Sequence, residues 1–152
     1  MSERIDFSRV SPEGMKALGG VRHYVLGSGL PLTLIELVFL RVSQINGCAY
    51  CLDMHTRELL EMKVPQEKIT LTGAWREAGN WFTAAERAAL GWAEALTLIA
   101  SRGAPDELYD EVRSHFSEKE IIDLNITIGL MNAYNRLAIS TRKLPDSARK
   151  LA

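Results

Sequence analysis

Apolar residues recur at the spacing of an α-helix along most of the chain, and short start and stop signals divide them into segments. Ser11-Pro12 is a typical helix start and Gly27-Ser28-Gly29 a typical stop, so residues 12–26 are predicted to form a helix. Pro31 opens a second helix that is apolar on most of its faces, which predicts a buried position at the centre of the protein. Asn46-Gly47 ends this second helix.

Two capping boxes, Thr83–Glu86 and Ser117–Glu120, mark the starts of later helices, because a hydroxyl and a carboxylate at this spacing satisfy free backbone amides. The connection over residues 73–82 is predicted to be anchored by the packing of Trp75 and Trp81. Helical periodicity between the start and stop signals predicts five further helices, over residues 48–62, 65–72, 84–102, 105–116 and 119–140.

No segment of the chain shows a convincing strand pattern, so the sequence predicts an all-α fold, a bundle of six or seven helices. The length suits one domain, and residues 1–152 are expected to form it. Residues 1–10 are predicted to be a loosely held lead-in. Residues 141–152 are polar and predicted to be frayed.

The composition is that of a folded protein and excludes two classes of partner. Of the 152 residues 47% are hydrophobic and 24% charged, and the net charge is −1, so no electrostatic surface for nucleic acid is expected. The most apolar stretches, residues 30–42 and 121–139, are interrupted by charged and amide side chains, which argues against a membrane span. The N-terminal residues lack the apolar segment of a secretory signal, so we expect a cytoplasmic protein.

Both cysteines lie close to a histidine just after the second predicted helix. Cys48, Cys51 and His55 would occupy one face of a third helix, within an arc of roughly 60°. In a reducing compartment such a pair is more often catalytic or metal-binding than structural. Cys48 stands at the helix start, where free amides and the helix dipole favour a thiolate. His55 lies one turn beyond Cys51, where an imidazole can take the proton of a thiol.

Glu36 is an acidic residue inside the apolar second helix, so we expect its carboxylate to be partly desolvated. It can reach the cysteines only if the second and third helices fold back antiparallel, which the Asn46-Gly47 turn permits. A carboxylate in that position would orient His55 or relay its proton. The alternative is that Glu36 extends to the surface or pairs with Arg41.

The set Glu36, Cys48, Cys51 and His55 resembles the active-site pattern of the alkylhydroperoxidase AhpD-like proteins of the carboxymuconolactone decarboxylase superfamily. Every interval of Glu-x11-Cys-x-x-Cys-x3-His is kept, and the later segments E-R-A-A-L and N-x-x-N-R are also similar. The resemblance implies that these four residues are catalytic and that the fold is an AhpD-like bundle with the cysteine pair at the start of a central helix. The chain departs from the founding members at Tyr50, where they carry a second histidine, so the proton-relay step of that histidine is not carried over.

The resemblance also implies a function: reduction of hydroperoxides through a Cys48–Cys51 dithiol/disulfide cycle, assisted by His55 and Glu36. The implied partners are a hydroperoxide substrate, an external dithiol or protein-thiol reductant, and further copies of the chain in a dimer, trimer or hexamer. No cofactor and no metal are implied. Either cysteine suits the role of attacking thiol, Cys51 because His55 is its helical neighbour and Cys48 because it starts the helix.

Two alternative functions are kept open. Decarboxylation of a lactone acid is the other activity of the superfamily, although that branch does not rely on a cysteine pair. A non-catalytic zinc site at Cys48, Cys51 and His55, with Glu36 as fourth ligand, suits the ligand preferences of zinc. Three ligands on one short helix face, however, give poor tetrahedral geometry.

Overall fold

The computed structural model describes residues 2–149, and in this range the chain is helical and contains no strand. The α-helices are α1 (Phe7–Val10), α2 (Pro12–Leu26), α3 (Leu32–Asn46), α4 (Ala49–Glu61), α5 (Gln66–Leu71), α6 (Ala84–Thr97), α7 (Ile99–Arg102), α8 (Asp106–Arg113), α9 (Glu118–Thr141) and α10 (Asp146–Arg149). Two short 3₁₀ helices, Thr72–Glu77 and Gly79–Trp81, join α5 to α6. The all-α prediction is confirmed, and the seven described α-helices of six or more residues correspond to the seven predicted ones.

Helix α3 is the centre of the molecule, as its apolar sequence predicts. It packs against α4, α6 and α9, and its side chains from Leu34 to Leu40 are all buried. It ends at Gly47, whose φ of 70° and ψ of 37° lie in the left-handed region that glycine adopts without strain. The chain therefore reverses at once into α4. No helix within residues 2–149 combines the length and the hydropathy needed to cross a bilayer.

Both predicted capping boxes are present. The Thr83 hydroxyl accepts a hydrogen bond from the Glu86 amide at 3.2 Å, and the Glu86 carboxylate accepts one from the Thr83 amide at 2.8 Å. The same reciprocal bonds join Ser117 and Glu120 at the start of α9. These bonds satisfy backbone donors that a helix start otherwise leaves free, and they fix where α6 and α9 begin.

Two details of the predicted packing are wrong. The predicted helix over 84–102 is broken at Leu98, where φ of −103° and ψ of 24° leave the helical range. The short helix α7 follows, and its first residue, Ile99, is 55% exposed. Trp81 is 41% exposed and does not anchor the connection over 73–82. Trp75 is buried as predicted, and Phe82 is the second buried aromatic ring there.

The terminal segments are held more firmly than predicted. The Arg4 amide donates to the Thr141 carbonyl at 2.8 Å, which ties the lead-in to the end of α9. The Ser147 amide donates to the Asp53 carboxylate at 3.2 Å, so α10 is attached to α4. The predictions of a loose lead-in and of fraying after residue 141 are therefore wrong for the described part of the chain. The predicted fraying of residues 150–152 falls outside the described residues.

Glu94 on α6 is a buried carboxylate that joins three elements. It accepts hydrogen bonds from Arg41 of α3 at 2.9 Å, from Trp75 at 2.9 Å and from Arg76 at 2.5 Å. Burial raises the pKa of this carboxyl, but the hydrogen bonds from Trp75 and Arg76 and the charges of the two arginines outweigh burial. The pKa of Glu94 therefore lies below its ordinary value.

Candidate active site

The α3–α4 hairpin builds the site. The Cys48 amide donates to the Ser43 carbonyl at 3.0 Å across the Gly47 turn, which closes the end of α3 and aims α4 back along it. Because the two helices run antiparallel, Glu36 on α3 meets His55 on α4, nineteen positions later in the chain. The fold-back that the sequence permitted is therefore the one observed.

Cys48 and Cys51 are disulfide-bonded, with their Cα atoms 5.3 Å apart. Cys48 is the N-cap of α4, and its sulfur accepts the Cys51 amide at 3.4 Å, so the first cysteine sits just before the first helical turn. Both side chains are 1% exposed. The pair lies at the start of a helix, as predicted; this helix is α4, which packs against the apolar helix α3.

Glu36 and His55 form a buried carboxylate–imidazole pair. The Glu36 Oε2 and His55 Nδ1 atoms are 2.7 Å apart, and both side chains are 1% exposed. The Phe39 ring packs against the imidazole, with ring centroids 5.1 Å apart. The other ring nitrogen of His55, Nε2, is buried without a hydrogen-bond partner in the described structure. The hydrogen bond at Nδ1 thus fixes the orientation of the imidazole, and Nε2 is available to bind a proton or a ligand.

A cavity of about 180 Å³ lies next to this pair. Cys51 and His55 both contribute to its wall, and the remaining surface near them is mostly apolar, from Phe39, Met54 and Met131. Cys48 does not line this cavity. A molecule that entered the cavity would therefore lie against Cys51 and His55 in mostly apolar surroundings.

The structure brings together all four residues that the sequence singles out. The alternative prediction, that Glu36 extends to the surface or pairs with Arg41, is wrong. Arg41 binds Glu94, and the buried Glu36 binds His55. Within residues 2–149, no group of three or more histidine, cysteine, aspartate or glutamate side chains is arranged to hold a metal ion.

Sequence reasoning missed a second set of residues on the cavity wall. They come from helices that are distant along the chain, and the set is Arg22 of α2, Tyr134 of α9 and Lys143 beyond α9. None of them stands in a motif, so only the helix periodicity of α2 and α9 could have placed the first two on a common inner face.

Comparison with known proteins identifies one family and several relatives of this chain. Residues 12–95 match the carboxymuconolactone decarboxylase family. The uncharacterized protein YdfG of Bacillus subtilis is 40% identical over 140 residues, which cover 92% of this chain and 95% of that protein. The alkyl hydroperoxide reductase AhpD of Methylocella silvestris is 48% identical over only 50 residues, 32% of this chain and 28% of that protein.

A solved structure shows the same architecture. A protein of unknown function from Agrobacterium tumefaciens, described as a candidate AhpD-type antioxidant defence protein, superposes with a TM-score of 0.92 at 42% identity. The superposition covers 95% of this chain and 98% of that one. The likeness therefore extends over nearly the whole of both chains.

Proposed function

The chain belongs to the carboxymuconolactone decarboxylase family and is AhpD-like within it, and on this basis we propose that it is a thiol-dependent peroxidase. The proposed reaction reduces an organic hydroperoxide through a dithiol/disulfide cycle of Cys48 and Cys51. Glu36 and His55 supply the acid–base chemistry. An external dithiol or protein thiol provides the electrons.

The observation that carries the proposal is the buried Glu36–His55 pair beside Cys51. A buried imidazole nitrogen without a partner is uncommon in folded proteins and calls for an explanation. When Glu36 is ionised, His55 Nδ1 carries the ring proton and donates a hydrogen bond to the carboxylate, so Nε2 keeps a free lone pair. That lone pair can accept the proton of the reduced Cys51 thiol on the same cavity wall.

The first step is attack of the Cys51 thiolate on the terminal peroxide oxygen. The S–O bond forms as the O–O bond breaks, and the alkoxide leaves as an alcohol with the proton held by His55. We assign this step to Cys51 because it lines the cavity and Cys48 does not.

The second step closes the disulfide. The Cys48 thiol displaces water from the sulfenic acid on Cys51, which yields the bonded pair seen in the structure. An external dithiol then attacks the disulfide, passes through a mixed disulfide and is itself oxidised as both protein thiols are restored. The sum is one hydroperoxide and one dithiol converted to one alcohol, one water and one disulfide.

A thiol count on the purified protein tests the proposal. The fully reduced chain is treated with one equivalent of tert-butyl hydroperoxide, and free thiols and intact mass are measured before and after addition of dithiothreitol. We expect both thiols to disappear, the mass to fall by two hydrogens within one chain, and dithiothreitol to reverse both changes. A mixture of over-oxidised cysteines without the disulfide species would contradict the proposal.

The two alternatives predict different results for the same protein. A lactone decarboxylase would keep its activity after Cys48→Ser and Cys51→Ser are combined, whereas the peroxidase would lose all turnover. A zinc site would show a stoichiometric metal by elemental analysis of the protein purified without chelator, and that result would overturn the redox assignment.

A further inference from the structure

The cavity beside Cys51 carries two cationic side chains, and only one of them has a counter-ion. Lys143 lies 3.8 Å from the Glu3 carboxylate, and its ammonium stands over the rings of Phe7 and Tyr50, with the centroids 5.1 and 5.5 Å away. A carboxylate and two aromatic faces are the usual partners of such a group. The charge of Lys143 is therefore compensated inside the protein.

Arg22 is the other cation on the cavity wall. It is half-buried on α2, and within the described structure it makes no hydrogen bond or ion pair. Tyr134 of α9 shares the wall with it. Burial raises the pKa of this phenol and the positive charge of Arg22 works against the rise, which places the guanidinium within electrostatic range of the phenol.

A half-buried guanidinium that lines a mostly apolar cavity and has no acceptor within the described structure leaves its N–H donors open to a ligand. The planar group matches a carboxylate, which it binds through two parallel hydrogen bonds. We propose that the cavity is a binding site for a small apolar molecule that bears a carboxylate, with the carboxylate on Arg22 and the apolar body beside Phe39 and Met131.

The size of the cavity limits the ligand. Its volume of about 180 Å³ is slightly larger than the roughly 150 Å³ cavity that accommodates benzene in another protein. The apolar body is therefore one ring or a short branched chain. The identification of this ligand as the substrate rests on the proposed function, since it then takes the form of a hydroperoxide that also carries a carboxylate.

Binding of unreactive ligands tests the site independently of any peroxidase activity. Affinities of 3-phenylpropionate and its neutral analogue 3-phenylpropan-1-ol are measured by isothermal titration calorimetry on the whole protein. We expect the acid to bind at least about tenfold more tightly than the alcohol, as a charge-assisted hydrogen bond predicts. Equal affinities for acid and alcohol would overturn the inference.

Substitutions test whether Arg22 is the residue responsible for the preference for the acid over the alcohol. Arg22→Gln should reduce the acid-to-alcohol ratio to about one, and Arg22→Lys should retain part of it because the charge remains. Arg113→Gln removes an exposed arginine of α8 that does not line the cavity and should leave the ratio unchanged. A ratio that survives Arg22→Gln but is lost in Lys143→Gln would overturn the assignment to Arg22.

A kinetic comparison separates this inference from the proposed function. Single-turnover thiol loss is followed with cumene hydroperoxide and with its para-carboxylate derivative, and we expect the carboxylate to react about tenfold faster at subsaturating concentration. If the acid binds but neither hydroperoxide oxidises the thiols, the proposed function fails and the binding site stands. If both hydroperoxides react equally and the acid does not bind, the proposed function stands and the site fails.

Discussion

At the scale of single residues, substitution of Glu36 tests whether the Glu36–His55 pair acts in acid–base chemistry or is only a structural contact. Glu36→Gln keeps the shape of the side chain and an oxygen for His55 Nδ1, but it removes the charge that stabilises a protonated imidazole. Oxidation of the reduced thiols by hydroperoxide at pH 7 should slow by about 10²–10⁴-fold, the range typical of a lost acid–base contributor. Stopped-flow measurement of thiol loss checks this.

The pH profile of the same variant gives a second readout. The defect should shrink as the pH approaches about 8.5, where an ordinary thiol ionises without help from the protein. Glu58→Gln, on the same helix as His55 but outside the cavity wall, is the matched control and should follow the wild-type profile. Equal rates for Glu36→Gln and wild type at pH 7 would remove Glu36 from the mechanism.

The two cysteines should behave differently when they are separated. Cys48→Ser should still form a sulfenic acid on Cys51, which persists because the resolving thiol is gone, whereas Cys51→Ser should form none. Labelling with dimedone after one equivalent of hydroperoxide, followed by peptide mass spectrometry, locates the modified sulfur. A label on Cys48 in the Cys51→Ser protein would reverse the assignment.

The four residues of the proposed site could be predicted because they lie close together in the sequence, at spacings that place them on facing sides of two consecutive helices. Two consecutive helices and one turn are enough to bring Glu36 to His55, so a short segment of sequence contains the geometry. Arg22, Tyr134 and Lys143 could not be predicted in this way. They meet only through the packing of α2 and α9, and no spacing rule connects positions so far apart.

At the scale of elements, the Gly47 turn sets how α4 returns along α3. Gly47→Ala should lower the free energy of unfolding by about 1–2 kcal/mol, because an L-residue is strained in the left-handed region. The space around the position is open, so a steric clash adds nothing. Urea denaturation followed by circular dichroism measures the change.

Gly129 in α9 provides the control for that substitution. It lies inside a helix with open space where a methyl group would stand, so Gly129→Ala should raise stability by about 0.5–1 kcal/mol. Opposite signs are thus expected for the same chemical change. An unchanged or higher stability of Gly47→Ala would show that Gly47 does not adopt the left-handed backbone conformation.

Element boundaries were predictable where a residue with a specific backbone role marks them. Proline, glycine and the two capping boxes located most starts and ends correctly. The break at Leu98 carries no such mark, and the apolar run simply continues across it into Ile99. The exposure of Trp81 could not be predicted either, because burial was expected from the large apolar ring alone and no neighbouring residue in the sequence indicated otherwise.

At the scale of the whole molecule, Glu94 should make stability depend on acid pH. Its pKa is lower in the folded protein than its ordinary value of 4.5, so the ionised form stabilises the fold. This contribution is fully present above the unfolded-state pKa and is lost as the pH falls through the folded-state pKa. Wild type should therefore lose stability relative to Glu94→Gln as the pH falls below 4.5, the ordinary pKa of the carboxyl.

Urea titrations at several pH values check this, with Glu107→Gln, an exposed carboxylate of α8, as the control for loss of one acidic group. The control should run parallel to wild type. If the curve of Glu94→Gln also ran parallel to that of wild type, the contacts with Arg41 and Arg76 would contribute nothing that depends on ionisation.

The protein is also expected to be a homo-oligomer. Several large apolar side chains are exposed on the single chain, among them Tyr24 of α2, Leu32 of α3, and Ile122 and Ile139 of α9. Apolar surface of this kind is often covered by a second copy of the chain. Light scattering at micromolar concentration should give at least twice the mass of one chain, and a monomeric mass would refute the expectation.

The α3–α4 hairpin has a consequence for how such a protein diversifies during evolution. The proposed chemistry resides on one pair of adjacent helices, whereas the far wall of the cavity is supplied by α1, α2, α9 and the segment after α9. Mutations in those outer elements can reshape what enters the cavity and leave the contact between Glu36 and His55 intact. Under the proposed function, most of the residues that would select the substrate therefore lie outside the hairpin that carries the reacting groups, and they can change without altering those groups.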